Sequence, residues 1–160
     1  MSSFDFTRLK RTTTIYLVVQ FLLLCLLVFV VYHFQTSFAR IGTPDKFFTS
    51  IKFTVIVQLL LFYPIYRLAG RDVNVETEGS VVGLTTEQLA ALRKKRLVGD
   101  LWKFCAVGFF LAFVSLIPDA SKASGSTQVL AIVLFSFLLM CLTYFQCFNY
   151  CVKKKIKETN

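Results

Sequence analysis

The sequence predicts an all-α, polytopic membrane protein: four transmembrane helices arranged as two hairpins, with a short cytoplasmic amphipathic helix between spans two and three. Three observations predict it. Hydrophobic residues make up 56% of the 160 residues and mean hydropathy is +0.64, against roughly 45–50% apolar residues in ordinary globular chains. Those residues stand in long runs, and the charged residues fall almost wholly between the runs. Fourteen of the 18 Lys and Arg flank one side of the runs. In water, a chain this small could not cover so much apolar surface with so little polar sequence.

Residues 1–14 form an N-terminal tail carrying Arg8, Lys10 and Arg11. The first span, residues 15–34, reads IYLVVQFLLLCLLVFVVYHF and is interrupted only by Gln20. It matches the ~20 residues needed to cross about 30 Å of hydrocarbon, and it ends in bulky residues unlike a signal-peptide cleavage site. Residues 35–46 form a loop on the far side, with a turn expected at Gly42, Thr43, Pro44 and Asp45. The second span, residues 47–66, holds Lys52 near its start, where it snorkels to the interface, and Pro64 in its last turn.

Residues 67–100 are the one sizeable stretch expected outside the membrane. The first half, RDVNVETEGSVVG, is acidic and weakly alternating, and reads as a poor candidate for a small hairpin around Glu78 and Gly79. The second half predicts a helix over about residues 86–98: Thr85 and Gln88 have capping-box spacing, and Gly99 reads as the stop. Arg93, Lys94, Lys95 and Arg96 on this helix are expected to contact anionic lipid or a partner protein, with Leu89, Leu92 and Leu97 at the interface. The plainer reading makes the four basic residues a topology signal only.

The third span, residues 101–117, is the weakest. Its uninterrupted apolar core from Phe104 to Ile117 is about four turns long, a length at which a buried soluble helix is the alternative. Within it Gly108 and Ala112 form a small-xxx-small pair that permits close helix packing. Residues 118–126, including DASKASGS, are a flexible connector, and the fourth span occupies residues 127–152 before a basic tail at 153–160. The basic residues sort by side. The N-terminal tail, the 67–100 segment with Lys103, and the C-terminal tail carry fourteen, whereas only Arg40, Lys46, Lys52 and Lys122 lie opposite. This positive-inside bias predicts both termini and the central segment in the cytosol, and two short lumenal loops.

Span four carries Ser136, Thr143, Gln146 and Asn149 at steps of 7, 3 and 3 residues, near one helical face. Amides in lipid seek interhelical hydrogen bonds, so this polar face is expected to hold the bundle together through Gln20 or Gln58, or to dock another membrane protein. Cys147 and Cys151, beside the lysines at 153–155, are candidates for acylation; the plain reading is two apolar-face thiols. The remaining cysteines, Cys25, Cys105 and Cys141, sit in apolar runs, and an odd count of five with no CxxC implies neither a disulfide framework nor a metal site.

No catalytic residues are expected. The spans carry no Asp, Glu, Lys or Arg at mid-depth, the sole histidine, His33, closes the first span, and HExxH, GxSxG and phosphate-loop motifs are missing. No cofactor is expected. The charge of +9 lies beside apolar runs without a nucleic-acid motif, so the expected partners are a bilayer with an anionic cytoplasmic leaflet and other membrane proteins, not nucleic acid. Short second and third spans suit the thin bilayer of the endoplasmic reticulum or the contiguous nuclear envelope, with the mitochondrial inner membrane as alternative. The functional expectation is a non-catalytic accessory subunit or adaptor of an endoplasmic-reticulum membrane protein complex, in membrane-protein biogenesis, trafficking or lipid handling. A reticulon-like membrane-shaping hairpin protein ranks second and a small channel or carrier third.

Overall fold

Long apolar blocks leave the backbone few choices besides helix, because each amide in such a block must find its partner within the chain. The computed structural model describes residues 6–81, 83–116 and 124–159, and among these it contains four α-helices and no strand. They are α1 (Thr7–Arg40), α2 (Pro44–Glu78), α3 (Thr86–Leu116) and α4 (Ser124–Thr159). Three are long and apolar enough to cross a membrane, over Leu9–Arg40, Pro44–Glu78 and Gly125–Glu158. The connector expected at 118–126 lies mostly outside the described residues.

All four helices are longer than their apolar runs. α1 has 34 residues and is about 50 Å long at 1.5 Å per residue. It continues to Arg40, so the loop expected over 35–46 contracts to residues 41–43. The cause is aromatic packing: Phe34 and Phe38, one turn apart, bury against Phe135 of α4 and Phe47 of α2, with centroid separations of 5.6 and 6.2 Å. Gly42, at φ +73°, makes the left-handed turn after α1, and Pro44 opens α2 where its missing N–H is no loss.

α2 runs through Pro64 and on to Glu78, so the acidic stretch read as a weak hairpin is helical instead. Its period explains why. Ile65, Ala69, Val73 and Thr77 recur every four residues and are all buried, a helical stripe that begins well before the Val73, Val75, Thr77 alternation and carries the helix through it. Ala69 and Val73 pack with Leu9 of α1 and with Cys147, Phe148 and Val152 of α4. α3 likewise differs from expectation: it passes straight through Gly99, joining the 86–98 helix to the apolar run as one rod that is described to Leu116. Its start is capped reciprocally, with the Thr85 amide donating to Gln88 Oε1 at 3.0 Å and the Gln88 amide to Thr85 Oγ1 at 3.3 Å.

The contacts order the helices. Phe47 meets Phe135, Gln58 meets Thr143 and Ala69 clusters with Cys147, so α2 and α4 run parallel and share the longest interface. α1 lies antiparallel along α4. The start of α1, the end of α4, the end of α2, the start of α3 and the Leu9–Val73–Val152 cluster share one end of the bundle, called here the terminal pole. α3 leans on α2 at that pole and is otherwise sparsely packed. Two hydroxyls buried on α2 are satisfied by their own helix: Ser50 donates to the Lys46 carbonyl at 2.8 Å and Thr54 to that of Ser50 at 2.9 Å.

Candidate functional site

Polar side chains gather at two levels of this bundle. At mid-length, Gln58 of α2 reaches α4: its Nε2 donates to Thr143 Oγ1 at 2.5 Å and lies 3.5 Å from the Leu139 carbonyl. Just under one turn further toward the terminal pole, Gln20 Nε2 of α1 donates to Gln146 Oε1 at 2.5 Å. Thr143 and Gln146 therefore tie α4 to two different helices. The other members of the face behave differently. Ser136 Oγ and Asn149 Oδ1 are buried without a hydrogen-bond partner among the described residues, as is Gln58 Oε1. A buried acceptor left so costs about 1–3 kcal/mol, so the face is only half used by the chain itself.

At the terminal pole a ladder of ion pairs joins α2 to α3. Lys95 Nζ meets Glu78 Oε2 at 3.1 Å, and Arg96 straddles Glu76. One guanidinium NH2 donates to Glu76 Oε2 at 3.1 Å, while Nε lies 3.0 Å from Oε1 outside hydrogen-bonding geometry, an ionic contact only. The third rung is the most enclosed. Lys103 Nζ lies 2.9 Å from Asp72 Oδ2, which also accepts from Tyr144 Oη of α4 at 2.6 Å. The ammonium sits 5.3 Å from the centre of the Tyr144 ring and 3.5 Å from Asp100 Oδ1. Asp72 thus connects three elements: its own helix, α3 and α4.

Two glycines flank the ladder. Gly99 is buried between the second and third rungs, where a Cβ would make an ordinary van der Waals contact 3.5 Å from Asp72 Oδ1, whereas a Cβ at Gly79 would overlap the Arg96 guanidinium of the second rung. The reading of Gly99 as a stop is corrected by the helix that continues through it, and the sequence reading missed Asp72, Glu76 and Glu78 altogether. The signal was present. Asp72 and Glu76 are four apart and Arg96 and Lys103 seven apart, so each pair shares one face of a helix.

The other candidates fall in separate places. Arg93 and Lys94 are exposed and make no ion pair among the described residues. Leu92 is buried whereas Leu89 and Leu97 are exposed. Gly108 and Ala112 are both exposed, and a Cβ at Gly108 would meet nothing within 4 Å, so this pair brings no helix of the chain close. Near them Phe104 and Phe109 are 76% and 74% exposed, and α3's main contact with α4 here is the stack of Phe110 on Phe137, 3.9 Å between centroids. Cys147 is buried in the terminal-pole cluster, and Cys151 is half-buried beside it. No group of three metal-ligating side chains occurs among the described residues.

These features define the class: a helical bundle with three helices of membrane-crossing length, tied internally by amide bonds and at one pole by an ion-pair ladder. No family model, curated protein or solved structure matches the chain.

Proposed function

We propose that the chain crosses the bilayer four times as two hairpins, with both termini and the 67–100 segment in the cytosol. In this reading it serves as a non-catalytic accessory subunit or adaptor of an endoplasmic-reticulum membrane protein complex. The crossing is supported by large apolar side chains on the outside of α1 and α2, among them Phe21, Phe29, Leu59 and Leu60, an exterior that lipid solvates and water does not. Orientation and compartment rest on the distribution of Lys and Arg and on the short apolar runs of spans two and three.

The adaptor reading is carried by one observation, an exposed face on the outer half of α3. From Phe104 to Ala112 this helix is anchored by the Lys103 rung below and the Phe110 stack, while Phe104, Gly108 and Ala112, each four residues apart, are exposed on one face. Small residues at a four-residue step let another helix approach closely, and Phe104 supplies the contact area that drives helix association in lipid. A helix of a second protein completes this half of the bundle. The membrane-shaping alternative needs hairpins that stop short of the far leaflet, and three helices of full crossing length weigh against it.

Purification of the tagged chain from native membranes in a mild detergent, followed by mass spectrometry, tests the reading. A stoichiometric membrane protein partner is expected, and it should be lost from the Gly108→Leu/Ala112→Leu variant while the variant keeps its fold. Recovery of the unmodified chain alone at monomer size contradicts it.

A further inference from the structure

Between the terminal-pole ends of α2 and α3 lies a crevice of about 880 Å³, open at the surface. Its wall on α2 carries Tyr66, Arg67, Gly70 and Arg71, and its wall on α3 carries Lys94 and Val98. Lys95 and Glu78 also border it but neutralise each other across 3.1 Å. Arg67, Arg71 and Lys94 have no such partner: none makes an ion pair among the described residues, and all three are exposed. Three uncompensated cations converge on one crevice.

The crevice also has an apolar approach. Leu59, Tyr63, Tyr66 and Gly70 follow one another at steps of four, three and four residues, so they share one face of α2. Leu59 and Tyr63 are 72% and 70% exposed. Tyrosines at such a boundary sit at headgroup depth, with the ring toward hydrocarbon and the hydroxyl toward water. Gly70 opens the floor, since a Cβ there would meet nothing within 4 Å.

We propose that this crevice binds the headgroup of an anionic phospholipid carrying more than one negative charge, with the acyl chains laid along Leu59 and Tyr63. Arginine forks grip phosphate oxygens bidentately, and basic pockets between helices at the cytoplasmic surface take phosphorylated headgroups. A single phosphodiester would leave two of the three cations unanswered; a headgroup with added phosphomonoesters answers all of them. The site rests on the membrane crossing proposed above and is independent of the adaptor role.

The test uses the full chain in a non-ionic detergent, titrated with dioctanoyl phosphatidylinositol bisphosphate, dioctanoyl phosphatidylserine and free inositol trisphosphate. The bisphosphate lipid is expected to bind best. At about one order of magnitude or slightly less per cation, Arg67→Gln/Arg71→Gln/Lys94→Gln should weaken it roughly 100-fold in Kd. The charge-matched Lys10→Gln/Lys153→Gln/Lys157→Gln variant should change Kd by less than about threefold, since none of its cations lines the crevice. Gly70→Leu fills the floor without altering charge and should weaken binding with the melting temperature unchanged. Equal losses in the two triple variants would reduce the effect to bulk charge and overturn the site. Equal affinity for phosphatidylserine would overturn the polyanionic headgroup, and equal affinity for inositol trisphosphate would make the ligand a soluble phosphate and not a lipid. Cysteine labelling of the α2–α3 turn tests the crossing separately, so lost lipid binding with intact topology removes this site alone.

Discussion

Replacing Gln58 by Leu is expected to cost the protein little, and replacing Thr143 by Val to cost it more, although both changes delete the same hydrogen bond. Gln58 Nε2 donates to Thr143 Oγ1, but its Oε1 is buried without a partner. An interhelical hydrogen bond in a membrane protein is worth about 0.6 kcal/mol on average and about 1.7 at most. An unsatisfied buried acceptor costs about 1–3 kcal/mol. Leu at 58 removes the bond and the orphan together, so the net change should lie within about 1 kcal/mol of zero, on either side. Val at 143 keeps the shape and removes only the acceptor. The Gln58 amide is then left with the 3.5 Å contact to the Leu139 carbonyl, and about 1–3 kcal/mol should be lost. The double variant should match Gln58→Leu alone. Reversible unfolding in mixed micelles, followed by circular dichroism as denaturing detergent is added, measures all three. A Gln58→Leu cost larger than that of Thr143→Val would refute the reasoning, because it would mean that the amide is fully satisfied.

The rungs of the α2–α3 ladder should differ in weight. Asp72 is 12% exposed at its side chain and its partner Lys103 is 35% exposed, so Asp72→Asn leaves a half-buried ammonium with only the 3.5 Å contact to Asp100 and should cost about 2 kcal/mol. Glu78→Gln breaks a pair whose side chains are 53% and 57% exposed and should cost about 0–1 kcal/mol, less in high salt. The same unfolding assay compares them, and equal costs would count against the enclosed rung. If the terminal pole is acylated, the thiol is Cys151: hydroxylamine-sensitive acyl exchange should vanish in Cys151→Ser and persist in Cys147→Ser, since Cys147 is packed against Phe148 and Val152. A label that depends on Cys147 would contradict the packing.

What the sequence made legible depended on how far composition and periodicity agree. α1, α2 and α4 were readable because each contains a block that hydropathy alone identifies. Their ends were not: hydropathy falls at Tyr66 and at Gln35, yet the helices continue because Val73 and Phe38 still find buried partners on other helices. Helix ends here are set by tertiary packing, which a window along one chain does not register. The polar face of α4 was legible from spacing, and so were Gln20 and Gln58 as candidate partners. Which amide meets which residue depends on the parallel register of α2 and α4, and no single segment encodes that. The ladder was hidden for a different reason. Its acids and bases lie on different helices, α2 and α3, so a count of Lys and Arg alone, which set them all in one loop, passed over the acids they pair with. Gly99 misled because a glycine after a basic run suits a helix end, whereas here the helix runs on through it to Leu116.

The account turns on α3 crossing the membrane while the 79–85 turn and both termini share one side. Single cysteines in a chain cleared of its native thiols test this, with an impermeant maleimide applied to sealed microsomes. Glu87→Cys should react at once, and Asp45→Cys and Gly125→Cys only after the vesicles are opened. All three positions are exposed. Reaction of Gly125→Cys in sealed vesicles alongside Glu87→Cys would leave α3 on the cytosolic side and contradict the four-span reading.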